Sequence, residues 1–273
     1  MKNLSSRNAD VPPLVTVAIP SLNHAEFIDQ AIASIFAQDV PCEVFVMDAG
    51  STDATAEIIA KWAPRLAGWR SHPDSGQAAA INEGLALGQA PYVCWLNSDD
   101  WMLPGGLRFL VETLQANSQA AVAYGRAWNV STPSGRRRAV WGPAPFSATK
   151  MANYCMISQP ASLIRRTAWE AVGGVRSDLH MAMDYDLWWR LKKQVGPLEF
   201  VDAFIAVNRD HGGTKTNRLR GLHYREAMAV VKEHYGRVPI KWWLAQPYAV
   251  FWRGIISRIA EHKTARDRTN YPR

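Results

Sequence analysis

Cysteine is scarce in this chain. The three present, Cys42, Cys94 and Cys155, are spaced too widely for a disulfide framework or a zinc pattern, so a reducing, cytoplasmic setting is expected. Long apolar runs are missing as well. No stretch reaches the ~18–20 residues that span a bilayer, and the opening MKNLSSRNADVPP holds no apolar segment of the kind that begins a secretory leader. No repeat or low-complexity tract interrupts the sequence. With 48% hydrophobic and 20% charged residues the composition is that of a globular protein rather than a disordered one.

What charge there is sits unevenly. Residues 1–204 carry 17 Lys and Arg against 19 Asp and Glu, whereas residues 205–273 carry 14 against 5. The basic character therefore belongs to the last quarter. Its Arg136-Arg137-Arg138 counterpart in mid-chain reads as a solvated loop tip.

The first 125 residues alternate apolar strand-length runs with helical periodicity. Val15–Ile19 is expected to be a buried strand stopped by Pro20. Asn23 and Glu26 have capping-box spacing and open a helix to about Gln38. Val44–Met47 is a second strand ending at Asp48, and the turn Ala49–Asp53 leads into a helix to Trp62. The turn-rich His72–Gln77 precedes an Ala-rich helix to Leu87. Tyr92–Leu96 is a strand, followed by a helix over about 106–117 and a strand at 121–124. Strand–helix alternation of this kind predicts a parallel sheet with right-handed crossovers. Further on, a strand is expected around 161–164, a capping box at Thr167 and Glu170, a helix from Asp184 to Val195, and a last strand from Phe200 to Val207.

One stretch organises the rest. Tyr92-Val93-Cys94-Trp95-Leu96 stops abruptly at Asn97-Ser98-Asp99-Asp100, placing two carboxylates at the carboxyl end of a strand, where open α/β sheets bind ligands. Adjacent carboxylates repel unless something positive lies between them, and a divalent cation with oxygen ligands answers that need. The plain alternative is that both aspartates cap the following helix.

Four islands, in order, bear on the choice: Ile19-Pro20-Ser21-Leu22-Asn23, Met47-Asp48-Ala49-Gly50-Ser51-Thr52-Asp53, Leu96–Asp100, and Met183-Asp184-Tyr185-Asp186-Leu187-Trp188. On these the chain, from about Val15 to His211, resembles the family 2 glycosyltransferases. The resemblance implies a GT-A fold: a Rossmann-like, mostly parallel central sheet flanked by helices. It divides the chain into an extension (1–14), a nucleotide-sugar lobe (15–125), an acceptor and catalytic lobe (126–212) and a basic, Trp-rich helical tail (213–273). It also implies an inverting transfer from a nucleotide-diphosphate sugar to a hydroxyl of a glycan or lipid-linked acceptor. Asp99 and Asp100 would hold Mg²⁺ or Mn²⁺, with His211 a third ligand or a pyrophosphate contact. Asp48 corresponds to the base-reading carboxylate; Pro20, Ser21, Asn23, Asp74, Gln77, Asn97, Ser98 and Asp99 would surround the donor. Asp184 corresponds to the general base that takes the acceptor's proton, its apolar neighbours raising its pKa. Gln159, Asp186 and Trp188 would meet the acceptor. The chain departs from the family pattern at Asn97, which brings no charge, and at Met183, where the family has Glu.

In the tail, Trp242, Trp243, Phe251, Ile255 and Ile259 form an apolar side flanked by Lys241, Arg253, Arg258 and Lys263. This suits a helix over residues 239–260 lying on anionic lipid at the inner membrane face, a helix packed on the catalytic lobe, or a dimer contact. Nucleic acid is not expected as a partner, because no recognised fold or stacking pattern accompanies the charge. Two rivals remain. A nucleotide-sugar binder or membrane scaffold of the same fold is the non-catalytic one. A sugar-phosphate nucleotidyltransferase would want a glycine-rich loop with Arg and Lys where Pro20–Asn23 stands.

Overall fold

Alternate residues of the central strands feed two different cores. On the first strand Val15, Val17 and Ile19 join one apolar cluster and Ala18 the other; on Tyr92–Trp95, Tyr92 and Cys94 divide from Val93 and Trp95 in the same way. A strand buried on both faces must be covered on both, and helices do so here. The computed structural model describes residues 11–132 and 134–246.

In chain order these residues form β1 (Val15–Ser21), α1 (Ile28–Phe36), β2 (Cys42–Asp48), α2 (Thr55–Trp62), β3 (Gly68–Ser71), α3 (Gln77–Leu87), β4 (Tyr92–Trp95), β5 (Trp101–Met102) and α4 (Gly106–Ala116). Then follow β6 (Val122–Ser131), β7 (Arg137–Ala139), α5 (Ala148–Asn153), β8 (Ser162–Arg165), α6 (Arg166–Ala171), α7 (Met183–Gln194), β9 (Leu198–Asp210), α8 (Lys215–Arg218), α9 (Arg220–Tyr235) and α10 (Ile240–Gln246). The sheet order is β3-β2-β1-β4-β8-β6-β9-β5, with β7 hairpinned onto β6. Strands β3, β2, β1 and β4 are mutually parallel, and β8 runs antiparallel to both β4 and β6. The expected GT-A-like arrangement is thus present, its parallel half followed by a mixed half.

Strand order, not strand direction, reverses at β1: β2 and β3 lie on one side and β4 on the other. Ligands of open α/β sheets bind in the crevice above such a switch point. Residues of α1, α2 and α4 pack in one core, and those of α3, α5, α6, α7 and α9 in the other.

Several local expectations change. Pro20 does not stop β1; it pairs with Met47 of β2, at a level where β4 has already run out beyond Ala18, so its missing N–H breaks no ladder. Asn23 does not cap α1, which begins at Ile28. Instead it takes φ +54° and accepts hydrogen bonds from the Thr52 N–H (2.8 Å) and Oγ1 (3.3 Å), a conformation Asn tolerates because its short side chain bonds locally. Thr167 and Glu170 form no capping box either, since α6 starts at Arg166 after a bare Arg165 cap. The Arg136–Arg138 run is half hairpin strand, with the Arg137 guanidinium 4.1 Å over Trp128.

Several elements, among them β3, β5, β7, α5 and α9, had no clear sequence signal. Strand β3 alternates half-buried and exposed residues over only four positions, and α9 buries just Ala227, Val230 and Val231. Yet α9 packs in the same core as α7, and Trp242 of α10 is buried there, its Nε1–H donating to the Ala152 carbonyl at 2.8 Å. Of the alternatives for the tail, packing on the catalytic lobe therefore describes residues up to Gln246. Phe251, Arg253, Ile255, Arg258, Ile259 and Lys263 lie outside the described residues.

Candidate active site

The carboxyl ends of β1, β2 and β4 converge on one place. Beyond β4, Asn97 hydrogen-bonds three ways: its Oδ1 accepts from Gln77 Nε2 (2.8 Å), and its Nδ2 donates to Asp100 Oδ2 (3.1 Å) and Gln159 Oε1 (3.4 Å). An amide does what the expected carboxylate could not, donating and accepting at once. Ser98 is buried, its Oγ 2.7 Å from His24 Nδ1. Asp99 Oδ2 lies 3.1 Å from His211 Nε2, on the turn that follows β9.

Asp99, His211 and His24 together offer ligand atoms within 4.8 Å of one another. Burial, with His211 adding to it, lowers the His24 pKa against the opposing pull of Asp99 and Asp53, so the imidazole is neutral, as a metal ligand must be. Two imidazoles and a carboxylate fit Mn²⁺ better than Mg²⁺, which prefers oxygen. His24 had no assigned role in the sequence; its one signal was a position just past the end of a strand.

Asp100 does not belong to that group. It is buried, its Oδ1 accepting the Arg209 N–H (2.9 Å) and its Oδ2 the Asn97 amide, and burial with the Asp99 charge pushes it up to about 8. It holds the loop in place. Arg209 closes the same corner from β9, donating to the Asp99 carbonyl at 2.8 Å while its guanidinium lies over Phe27 and Trp101.

On the β2 side, Asp48 is fully buried and saturated. Its carboxylate accepts from the Gly50 N–H (3.2 Å), the Ser51 N–H (2.9 Å), Ser51 Oγ (2.5 Å) and Ser71 Oγ (2.6 Å). The turn that wraps it needs φ +81° at Gly50, where a Cβ would also meet Pro73 at 3.1 Å. Asp48 thus builds the turn instead of presenting a free carboxylate to a base. Asp53 similarly caps, accepting from the Thr55 N–H (3.0 Å) and the Ala25 N–H (3.1 Å). Asp74 accepts from the Gly76 N–H (2.8 Å) and pairs with Arg70 (2.9 Å), so it too is structural. Ser21 is buried, with no partner for its Oγ. Gln77, at the start of α3, accepts from Lys215 Nζ at 3.1 Å.

The acceptor residues need correction. Trp188 is fully buried and stacks on Trp95 (6.3 Å, 12°) inside the core. Gln159 is buried and donates to the Trp95 carbonyl at 2.7 Å, bracing the end of β4. Asp186 is fully buried among Arg190 (2.7 Å), His234 (2.8 Å) and Arg176 (3.5 Å), tying α7 to α9. The three-residue group Asp186, Glu233 and His234 has a metal-like spacing, but two arginines already match its charge. Burial pushes Asp186 upward, and hydrogen bonds from His234 and Arg190 outweigh it, holding the carboxyl below the usual range. Asp186→Asn is expected to cost about 3–5 kcal/mol, seen as a lower urea midpoint at neutral pH. The wild-type advantage is complete above pH ~4 and is lost as pH falls through the depressed native value, so the two proteins should converge in acid.

Asp184 stands elsewhere. It lines a cleft of about 490 Å³ whose walls include Trp141, Tyr154, Tyr224 and Trp242, with Lys241 and Thr216 also bordering it. Burial raises its pKa to about 6, against hydrogen bonds from the Tyr185 N–H and its own backbone. The loop before it is held by α9: Glu226 accepts the N–H groups of His180 (3.1 Å), Met181 (2.7 Å) and Ala182 (3.1 Å). The six residues His211–Thr216 connect the two places. His211 faces Asp99, Lys215 reaches Gln77, and Thr216 borders the cleft with Asp184. Five residue steps span at most about 18 Å.

Comparisons with known proteins bear on the family and the fold. The chain is 27% identical to a hyaluronan synthase of Pasteurella multocida over 85% of its length and 24% of that protein. It is 26% identical to a chondroitin synthase of Escherichia coli over 84% of its length and 34% of that protein. The chain therefore spans only about a quarter to a third of these relatives. An uncharacterised glycosyltransferase of Mycobacterium tuberculosis matches 78% of this chain and 85% of its own, at 28% identity. Among solved structures, residues 1–349 of Staphylococcus aureus TarS in complex with UDP superpose with a TM-score of 0.64 at 16% identity, over 87% of this chain and 72% of that one. The mannosyltransferase PcManGT of Pyrobaculum calidifontis, in complex with GDP-Man and Mn²⁺, gives 0.63 at 18% identity, over 94% and 76%. The family description "Glycosyl transferase family 2" matches residues 16–173, and the chain belongs to that family.

Proposed function

We propose that this protein is a metal-dependent, inverting glycosyltransferase that moves a sugar from a nucleotide-diphosphate donor to a hydroxyl of a glycan or lipid-linked acceptor. The observation that carries the reading is the grouping of Asp99, His24 and His211 at the switch point, with the Asp184-lined cleft bordered by the same strap, His211–Thr216, that carries His211. The donor's diphosphate would lie near Asp99, with Lys215 and the start of α3 beside it. A divalent cation held by Asp99, His211 and His24 would supply the positive charge the leaving diphosphate needs. Asp184, poised near neutrality, would accept the acceptor's proton from the opposite side, which inverts configuration. Relatives named for hyaluronan and chondroitin synthesis support a place in polysaccharide assembly.

The test is thermal denaturation of the full chain against a panel of UDP-, GDP- and dTDP-sugars, with and without Mn²⁺. A metal-dependent rise in melting temperature with one donor class is expected. No rise with any donor, in a folded sample, sinks the reading.

We place the protein in the cytoplasm, peripheral on the inner membrane face. Among the described residues no helix is long and apolar enough to cross a membrane. On α10, however, Ile240, Trp243 and Leu244 are 71%, 54% and 73% exposed, opposite the buried Trp242. An exposed Trp and two aliphatics beside a basic segment suit contact with anionic lipid. Truncation before Trp242 would unpick the core, so the sharper variant is Ile240→Ser with Trp243→Ser and Leu244→Ser. It should sediment with phosphatidylglycerol vesicles several-fold less than wild type. Equal sedimentation would remove α10 from lipid contact.

A further inference from the structure

We infer that the acceptor is an anionic saccharide, one whose ring carries a carboxylate or phosphate, and that Lys241 is the group that selects it. The inference rests on the acceptor reading of the Asp184 cleft. That cleft falls within the usual range of small-molecule sites, and its walls are aromatic, the surface on which the apolar faces of sugar rings stack.

Lys241 sits at this cleft with its ammonium 5.3 Å from the centre of the Trp141 ring and 5.1 Å from that of Tyr154. The two rings pack at 4.6 Å, and Gly142 permits it: a Cβ there would fall 2.4 Å from Tyr154. So the ammonium is held over the platform where a sugar would lie. The Lys241 side chain is exposed and, among the described residues, forms no ion pair, whereas Arg70, Arg176 and Arg190 each have a carboxylate partner. A cation positioned beside a sugar-sized cleft and left without a counter-ion is complementary to an anion on the ligand. His223 also lines the cleft. Burial lowers the His223 pKa, so that ring stays neutral and adds no charge of its own. Among the described residues the only carboxylate on the lining is Asp184, which the proposed reaction occupies.

The experiment is calorimetric titration of the full chain with three tetrasaccharides of one backbone: one ending in glucuronate, its carboxyl-reduced form ending in glucose, and one ending in a sugar phosphate. Wild type is expected to bind the glucuronate form about three- to fivefold more tightly than the carboxyl-reduced form, the size an exposed ion pair gives. Lys241→Met keeps the stem over the rings and should erase that ratio while leaving the affinity for the neutral sugar in place. Lys241→Arg should restore it. A phosphate form that binds more tightly than the glucuronate keeps the role of Lys241 and names phosphate as the anion. Equal binding of charged and neutral forms by wild type, an undiminished ratio in Lys241→Met, or binding of none of the three overturns the inference. Donor-induced stabilisation, measured on the same samples, reads the broader function independently, since Lys241 is remote from the Asp99 group in sequence and lines only the acceptor side.

Discussion

Asp184→Asn is expected to lower the rate of sugar transfer by about 10²–10⁴-fold, the range general bases contribute, and to leave donor binding where it was. The substitution removes a proton acceptor while keeping size and shape. Asp184 contacts no donor-side residue among its hydrogen bonds, which come from the adjacent Tyr185 N–H, at 2.8 Å, and from its own backbone. A loss confined to turnover, with unchanged donor-induced stabilisation, therefore separates a base from a structural carboxylate. The pH dependence gives a second reading. Burial sets the Asp184 pKa near 6, and only the ionised form accepts a proton, so kcat/KM should fall about tenfold per pH unit below that value and level off above it. Retained turnover in Asp184→Asn would exclude it from the mechanism.

The second large effect concerns Asp99. With donor at 100 times its Kd, binding stabilises the folded state by about 2.7 kcal/mol, and each kcal/mol moves the melting temperature of a domain this size by about 2–4 °C. Asp99→Ala should abolish the manganese-dependent part of that rise, roughly 5–11 °C. Asp100→Asn should behave differently. Its new amide would face the Asn97 amide where a carboxylate oxygen accepted before, so the free protein should melt lower while the manganese-dependent increment survives. The pair of variants sorts the ligand from its scaffold. An increment lost in Asp100→Asn and kept in Asp99→Ala would reverse the assignment.

How much of this was legible in the residues depends on distance along the chain. The parallel half of the sheet was readable because each of its buried strands is a continuous apolar run ended by a polar turn, as at Leu96-Asn97 and Met47-Asp48. The family motifs located the carboxyl ends of β1, β2 and β4. What they could not give was which way a carboxylate points. Asp99 and Asp100 are neighbours in sequence, yet one reaches His211 and the other turns into the protein toward Arg209. Asp48 is engaged by its own turn and by Ser71 of β3. Trp188 and Asp186 belong to the same motif as Asp184 and were assigned to the acceptor with it, but Trp188 packs on Trp95 and Asp186 pairs with α9, which carries no strong apolar periodicity of its own. The aromatic cleft was invisible for a related reason: Trp141, Tyr154, Tyr224 and Trp242 come from four separated segments, and only the folded chain brings them together.

The short strap from His211 to Thr216 has a temporal consequence. On the proposed assignment a single span of backbone borders the places of both substrates, so a donor that engages His211 and Lys215 would also fix Thr216 in the wall of the acceptor cleft. Such a strap would couple the two binding events, with an ordered addition of nucleotide before alcohol as the expected kinetic signature.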